Sequence, residues 1–296
     1  MTDFEKQLEK MTNGSGFIAA LDQSGGSTPK ALASYGVEKS AWGNEPEMFD
    51  LVHQMRERIV TNPSFNGDRI LGAILFENTM EGTFDGKAAT DYLWQTKRVI
   101  PFLKIDKGLA EEENGTQMMK PIPDLDKRLV RAKEKNVFGT KMRSVIKLAN
   151  QNSIEDIVSQ QFDFAAEIIA QGLIPIVEPE VDINCPEKPK AESFLLNAIE
   201  KKLNNLNSEE KIILKLTLPS ENNLFRPLAN HNNVLRVVAL SGGYSREKAN
   251  RILHSNKDLI ASFSRALTEG LKAQQTQDEF TKLLDASIES IYKASQ

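Results

Sequence analysis

Lys215 stands in the middle of an apolar run, Ile212-Ile213-Leu214-Lys215-Leu216-Thr217-Leu218. A buried strand has no ordinary use for charge, so an amine there asks for an explanation. A free lysine, with a pKa of about 10.4, is almost wholly protonated at neutral pH and cannot attack a carbonyl. Burial and a second nearby cation, for which Lys141 is the candidate, both favour the neutral nucleophile. Such an amine forms an imine with a ketone or aldehyde. The competing reading is a structural lysine paired with Glu178 or Glu180.

Other polar residues recur at the ends of apolar runs. They are Asp22, Lys104 with Asp106, Lys141 with Arg143, Glu178 with Glu180, Ser241 and Arg265. Any one of them alone reads as a paired or snorkelling side chain; their recurrence at one end of successive runs points to a shared site. Two further segments suit phosphate. Leu240-Ser241-Gly242-Gly243-Tyr244-Ser245 runs from strand through a glycine pair to a helix start, and Asp22-Gln23-Ser24-Gly25-Gly26-Ser27 repeats the arrangement with hydroxyl donors. Glycines let backbone N–H groups approach an anion, and a helix N-terminus adds a favourable dipole. With Lys104 and Arg265 beside them, two such loops suggest a ligand carrying two phosphates.

The elements that must carry these residues alternate. Eight short apolar runs begin at Gly16, Ile70, Pro101, Val137, Leu173, Ile212, Val234 and Leu259. Each is nearly continuous in apolar character, as a strand buried on both faces should be. Helical stretches separate them. Ser153 is placed as the cap of a helix ending at Gly172, and Ser245 as the cap of Arg246 to His254. Thr276-Gln277-Asp278-Glu279 and Thr2-Asp3-Phe4-Glu5 open terminal helices. Strand alternating with helix implies parallel pairing through right-handed crossovers. The expected fold is therefore α/β: a (β/α)8 TIM barrel with extra helices at both termini, in one domain spanning residues 1–296. An open sheet of six or seven strands is the alternative. In a barrel the C-terminal strand ends converge on one mouth, where active sites lie.

Composition narrows the partners. The 296 residues are 40% hydrophobic and 26% charged, with a net charge of −4, and carry no clustered basic excess of the kind nucleic acid requires. The longest strand-like apolar stretches are far short of the ~18 residues of a membrane span. Cys185 is the only cysteine, so no intrachain disulfide can form, and the acidic start lacks the order of a secretory signal. A cytoplasmic location is expected. Gly82-Thr83-Phe84-Asp85-Gly86-Lys87-Ala88 imitates a phosphate loop but has three residues between its glycines, not four. His53, His231 and His254 lie too far apart in sequence for a usual zinc site. Met118 and Met119 read as packing residues.

The order of Ile18-Ala19-Ala20-Leu21-Asp22-Gln23-Ser24, Leu103-Lys104-Ile105-Asp106-Lys107-Gly108, Ile176-Val177-Glu178-Pro179-Glu180, Lys215, Leu240-Ser241-Gly242-Gly243 and Ser262-Phe263-Ser264-Arg265 resembles the class I, Schiff-base fructose-1,6-bisphosphate aldolases, in their shorter bacterial form. The resemblance implies Lys215 as the imine-forming lysine, Glu178 as the acid/base for carbinolamine dehydration and Asp22 as the group handling the C4 hydroxyl proton. It places Lys141 and Arg143 at the family's second lysine and its arginine. Lys104, Ser24 and Ser27 would face one phosphate; Ser241, Gly242 and Arg265 the other. It implies a small phospho-sugar as partner, with no cofactor and no metal. A tagatose bisphosphate aldolase or a transaldolase on the same barrel is the second reading. Gln23 stands where animal members carry glutamate, Ala31 where they carry an arginine, and the chain does not end in their tyrosine. A homo-oligomer is left open, because the chain is shorter than the family's tetrameric members.

Overall fold

The computed structural model describes residues 1–296. Its barrel strands are β1 (Phe17–Leu21), β2 (Ile70–Leu75), β3 (Ile100–Lys104), β4 (Gly139–Ile146), β5 (Ile174–Val181), β6 (Ile212–Thr217), β7 (Val234–Leu240) and β8 (Leu259–Ala261). The helices used below are α1 (Asp3–Asn13), α2 (Thr28–Ser34), α3 (Glu45–Thr61), α4 (Leu125–Glu134), α5 (Gln151–Ala170), α6 (Lys188–Leu203), α7 (Arg246–His254) and α8 (Gln277–Ala294). Neighbouring strands pair in parallel, in sequence order, from β1 through to β8. The seam between β8 and β1 is joined by the Ala20 N–H donating to the Phe263 carbonyl, at 3.1 Å. This is the expected nearly closed (β/α)8 barrel rather than the open sheet.

The eight apolar runs all became strands, though with shifted ends. β4 and β5 continue four to six residues past the apolar stretch, so Lys141, Arg143, Glu178 and Glu180 lie within strands. Alternation explains this. Inward positions are apolar at the base of the barrel (Ile18, Ile100, Ile174, Ile213, Ile260) and polar at its mouth. Phe102 fills the interior because Gly72 and Gly139 leave it room: a Cβ on either would sit 2.9 Å from its ring. Truncating Phe102 to alanine should cost about 3–5 kcal/mol.

The terminal helices carry their expected capping boxes at Thr2/Glu5 and Thr276/Glu279. Ser245 caps α7 by accepting from the Lys248 N–H. At α5 the expectation is corrected. Asn150 is the cap, accepting from the Ser153 N–H, and Ser153 is buried in the first turn. Both residue types cap well, and only the backbone turn decides between them. Helix α1 closes the bottom of the barrel. Met11 enters the interior core, and the Arg236 guanidinium on β7 donates to the carbonyls of Met11 and Gly14, each at 2.7 Å. A cation thereby satisfies carbonyls that the helix end leaves unpaired.

The phosphate-loop imitation at residues 82–88 is a small hairpin. Thr83–Phe84 pairs antiparallel with Lys87–Ala88 around Asp85-Gly86, both at positive φ. His53 stacks on Phe84 and contacts the Thr83 carbonyl, a packing role. No helix is long and apolar enough to cross a membrane.

Candidate active site

A cavity of about 1020 Å³ opens at the C-terminal ends of the strands. All eleven residues singled out from the sequence line it: Lys215, Glu178, Asp22, Lys141, Ser24, Ser27, Lys104, Arg143, Ser241, Gly242 and Arg265. At its floor, strand register brings four charged groups together. Val177 pairs with Leu214, so Glu178 on β5 and Lys215 on β6 are the next residues up, side by side. Glu178 Oε1 lies 3.3 Å from Lys215 Nζ, and its Oε2 lies 2.6 Å from Lys141 Nζ. Lys141 also donates to Asp22, 2.9 Å away. All four are 93% or more buried.

Electrostatics at this floor are dominated by pairing. Burial opposes the charge on Lys141, yet the carboxylates of Asp22, Glu178 and Asp106 outweigh it and hold the ammonium far above the usual lysine range. Asp22 is the mirror case. Burial favours its neutral form, but Lys141, Lys215 and Lys104 keep it ionised to well below the usual carboxylate range. Of the two sequence readings of Lys215, the pairing with Glu178 is present in the structure. Glu178 in turn bridges Lys215 and Lys141.

Higher in the cavity, two more cations have carboxylate partners. Lys104 Nζ lies 2.7 Å from Asp106, and the Arg143 guanidinium donates to Glu180. Burial of Arg143 is outweighed by Glu180 and Glu178, which raise its pKa beyond the usual arginine range. By contrast, Arg265 and Lys30 line the cavity and take part in no ion pair.

The two glycine loops both line the mouth. Gly242 and Gly243 both take positive φ, and a Cβ on Gly243 would sit 3.3 Å from the Arg265 guanidinium. In the first loop, the Ser24 N–H donates to Ser27 Oγ, which donates back to the Ser24 carbonyl, closing a tight turn before α2. Gln23 reaches across the β1–β8 seam to donate to Ser264 Oγ. Ala31 lines the cavity next to Lys30.

Sequence reasoning did not single out Lys30, Arg56 or Gln161. Lys30 lies one turn beyond Ser27 on α2. Arg56, wholly buried on α3, donates to the Gln23 carbonyl and to Thr79 Oγ1. Its signal was available. It sits one turn after Val52 and just before Ile59 and Val60 on the buried face, a charged residue at an apolar position.

A barrel whose mouth carries these groups in this order matches a family model described as fructose-bisphosphate aldolase class-I over residues 4–221. The fructose-bisphosphate aldolase class 1 of Synechocystis sp. is 60% identical over 291 residues, 98% of this chain and 97% of that one. The chain belongs to the class-I fructose-bisphosphate aldolases, a family of lyases. Among solved structures, a fructose-bisphosphate aldolase from Plasmodium falciparum, in complex with TRAP and a small-molecule inhibitor, aligns with a TM-score of 0.77. It is 20% identical, with coverage of 99% of this chain and 94% of that one. A protein of Corynebacterium glutamicum aligns at 0.54 and 11% identity, over 99% and 92%. At these identities the two structures speak to the barrel fold alone.

Proposed function

We propose that the protein cleaves fructose 1,6-bisphosphate reversibly to dihydroxyacetone phosphate and glyceraldehyde 3-phosphate through an imine on Lys215. The observation that carries this reading is the Glu178 carboxylate placed between Lys215 and Lys141 at the floor of the cavity, in a chain of this family. Lys215 Nζ attacks the C2 carbonyl of the open-chain sugar, giving a carbinolamine. Glu178 takes the proton that Lys215 gives up on attack and returns it to the departing hydroxyl, so water leaves and the iminium forms. Asp22, kept ionised by its cations, takes the C4 hydroxyl proton. The C3–C4 bonding pair flows into the iminium as the aldehyde departs, and the resulting enamine is protonated at C3 and hydrolysed.

Two phosphates fit the two loops. Ser24, Ser27 and Lys104 take one; Ser241, Gly242 and Arg265 take the other, with Lys30 close to the first. Arg143 positions the sugar hydroxyls. We read residues 1–296 as one functional domain acting in the cytoplasm, where the single buried Cys185 stays reduced.

The test is reductive trapping. The protein is incubated with dihydroxyacetone phosphate, reduced with borohydride and mapped by peptide mass spectrometry. The expected adduct is on Lys215. An adduct on Lys141 would exchange the two lysines' roles, and no adduct in folded protein would overturn the imine route.

A further inference from the structure

We propose that Gln161, on the outer helix α5, is the positioning residue that aims Glu178 at Lys215. Gln161 is wholly buried, and its Nε2 has no hydrogen-bond partner. A buried amide left half-paired is costly where an apolar side chain of similar shape would not be. The contact that accounts for its type is the other half: Gln161 Oε1 accepts from the backbone N–H of Glu178 at 2.8 Å.

That amide sits just beyond a short stretch of ladder. β5 pairs with β6 only through Ile176 and Val177. Pro175 and Pro179 bracket this stretch, and neither has an N–H to offer a ladder. The ladder therefore stops one residue short of Glu178. Further along, the Val181 carbonyl accepts from Thr217 Oγ1 on β6 at 2.7 Å. The paired register with β6 is not continued over residues 178–180, where Glu178 meets β6 through its side chain. Register with β4 and the Gln161 amide from behind fix their height. The Glu178 carboxylate must reach Lys141 at 2.6 Å with one oxygen and Lys215 at 3.3 Å with the other. A small slip of the 178 backbone changes both distances, and a misplacement on the scale of 1 Å can cost about a hundredfold in rate.

The inference rests on the reading of Glu178 as proton donor in carbinolamine dehydration, and the experiment separates the two. The rate of borohydride-trappable adduct formation with dihydroxyacetone phosphate is followed in Gln161→Met, which keeps the shape without a comparable acceptor, and in Gln161→Glu, which keeps an acceptor. Binding of a hexitol bisphosphate, which has no carbonyl, reports the phosphate loops independently. Gln161→Met should form adduct about tenfold more slowly or worse while binding the hexitol bisphosphate unchanged, and Gln161→Glu should recover most of the rate. An undiminished rate in Gln161→Met overturns the proposal, as does an equal loss in both variants. Amide hydrogen exchange on the unsubstituted protein needs no variant to fold. The Glu178 N–H should be strongly protected, and rapid exchange there also overturns the proposal. If the unsubstituted protein forms no adduct on Lys215, the imine reading falls, while the exchange result still reports on the Gln161–Glu178 bond.

Discussion

Asp22 and Lys141, 119 residues apart in sequence, meet at 2.9 Å at the cavity floor, where both are almost entirely buried. The pair joins the end of β1 to the middle of β4 and links the first glycine loop to the lysine that also holds Glu178. Its two members answer pH oppositely. The folded state holds Asp22 below its unfolded value of about 3.8, so its contribution is present above that value and lost as pH falls through the lower folded one. Lys141 is raised above its unfolded value of about 10.5, so its contribution is complete below that pH and lost only in strong alkali.

Lowering the pH should therefore erode the Asp22 contribution from about pH 4 downward. Urea unfolding between pH 3 and pH 7 should show stability falling below about pH 4 in the unsubstituted protein. Asp22→Asn should be less stable at neutral pH and flatter over this range. A variant with the same acid slope as the parent would assign that slope to other carboxylates.

Lys141→Met removes one cation from two buried carboxylates at once. Taking one partner out of a buried ion pair typically costs about 3–5 kcal/mol, because the charge left behind has neither water nor counterion. The variant should lose stability on that scale in urea at pH 7, and should lose less near pH 5, where the orphaned carboxylates can take up protons. Equal losses at both pH values would mean that Lys141 contributes through packing rather than charge.

Much of the fold was legible because a parallel strand covered on both faces must be apolar along its length, and eight such runs separated by helix signals leave few architectures. The strand ends were less legible for the same reason. At the mouth, inward positions turn polar, and an apolar run stops at Lys141 or Glu178 although the strand continues to Ile146 or Val181. The site residues were legible as types in order, since charge within a buried strand stands out. Their partners were not. The Lys141–Glu178 contact depends on the register of β4 with β5, and Lys215–Glu178 on the height of β6. Arg56 and Gln161 escaped because each sits on a helix face that reads as apolar around it, Val52 to Val60 and Ile157 to Ile168. Arg56 stands out there only as a charge at an apolar position, and Gln161 only once its bond to the barrel is seen.

Arg265 and Lys30 are the cavity cations without an ion pair, so they can meet an anion without first breaking a protein contact. A hydrogen bond to a charged group is worth about 1.5–3 kcal/mol. Arg265→Ala should accordingly raise KM for the bisphosphate about tenfold or more, with a smaller effect on a sugar carrying only the phosphate at the first loop. Lys30→Ala should show the reverse preference. Steady-state kinetics with the bisphosphate and the two monophosphates decides it. Equal KM changes for all three substrates in both variants would remove the assignment of one phosphate to each loop.

Arg56 offers the sharpest test of how the first loop is held. It is a fully buried guanidinium with no carboxylate in hydrogen-bond contact, and burial, partly offset by Asp22, pulls its pKa down to about 10. Its bonds go to the Gln23 carbonyl and, at 2.7 Å, to Thr79 Oγ1. Gln23 is the residue that crosses the seam to Ser264, next to Arg265. Arg56 therefore ties the first glycine loop to α3 at the residue that crosses the seam. Arg56→Met leaves a buried carbonyl and hydroxyl unpaired and should destabilise the protein by about 2–4 kcal/mol in urea. Arg56→Lys keeps the charge but has no planar fork to serve two acceptors at fixed angles, and should recover only part of that loss. Both variants should bind the bisphosphate less tightly while still forming the borohydride-trapped adduct with dihydroxyacetone phosphate, because Lys215 and Glu178 stand on β6 and β5, away from this loop. Loss of the adduct in folded Arg56→Lys would show instead that the buried guanidinium acts on the catalytic floor, through Asp22.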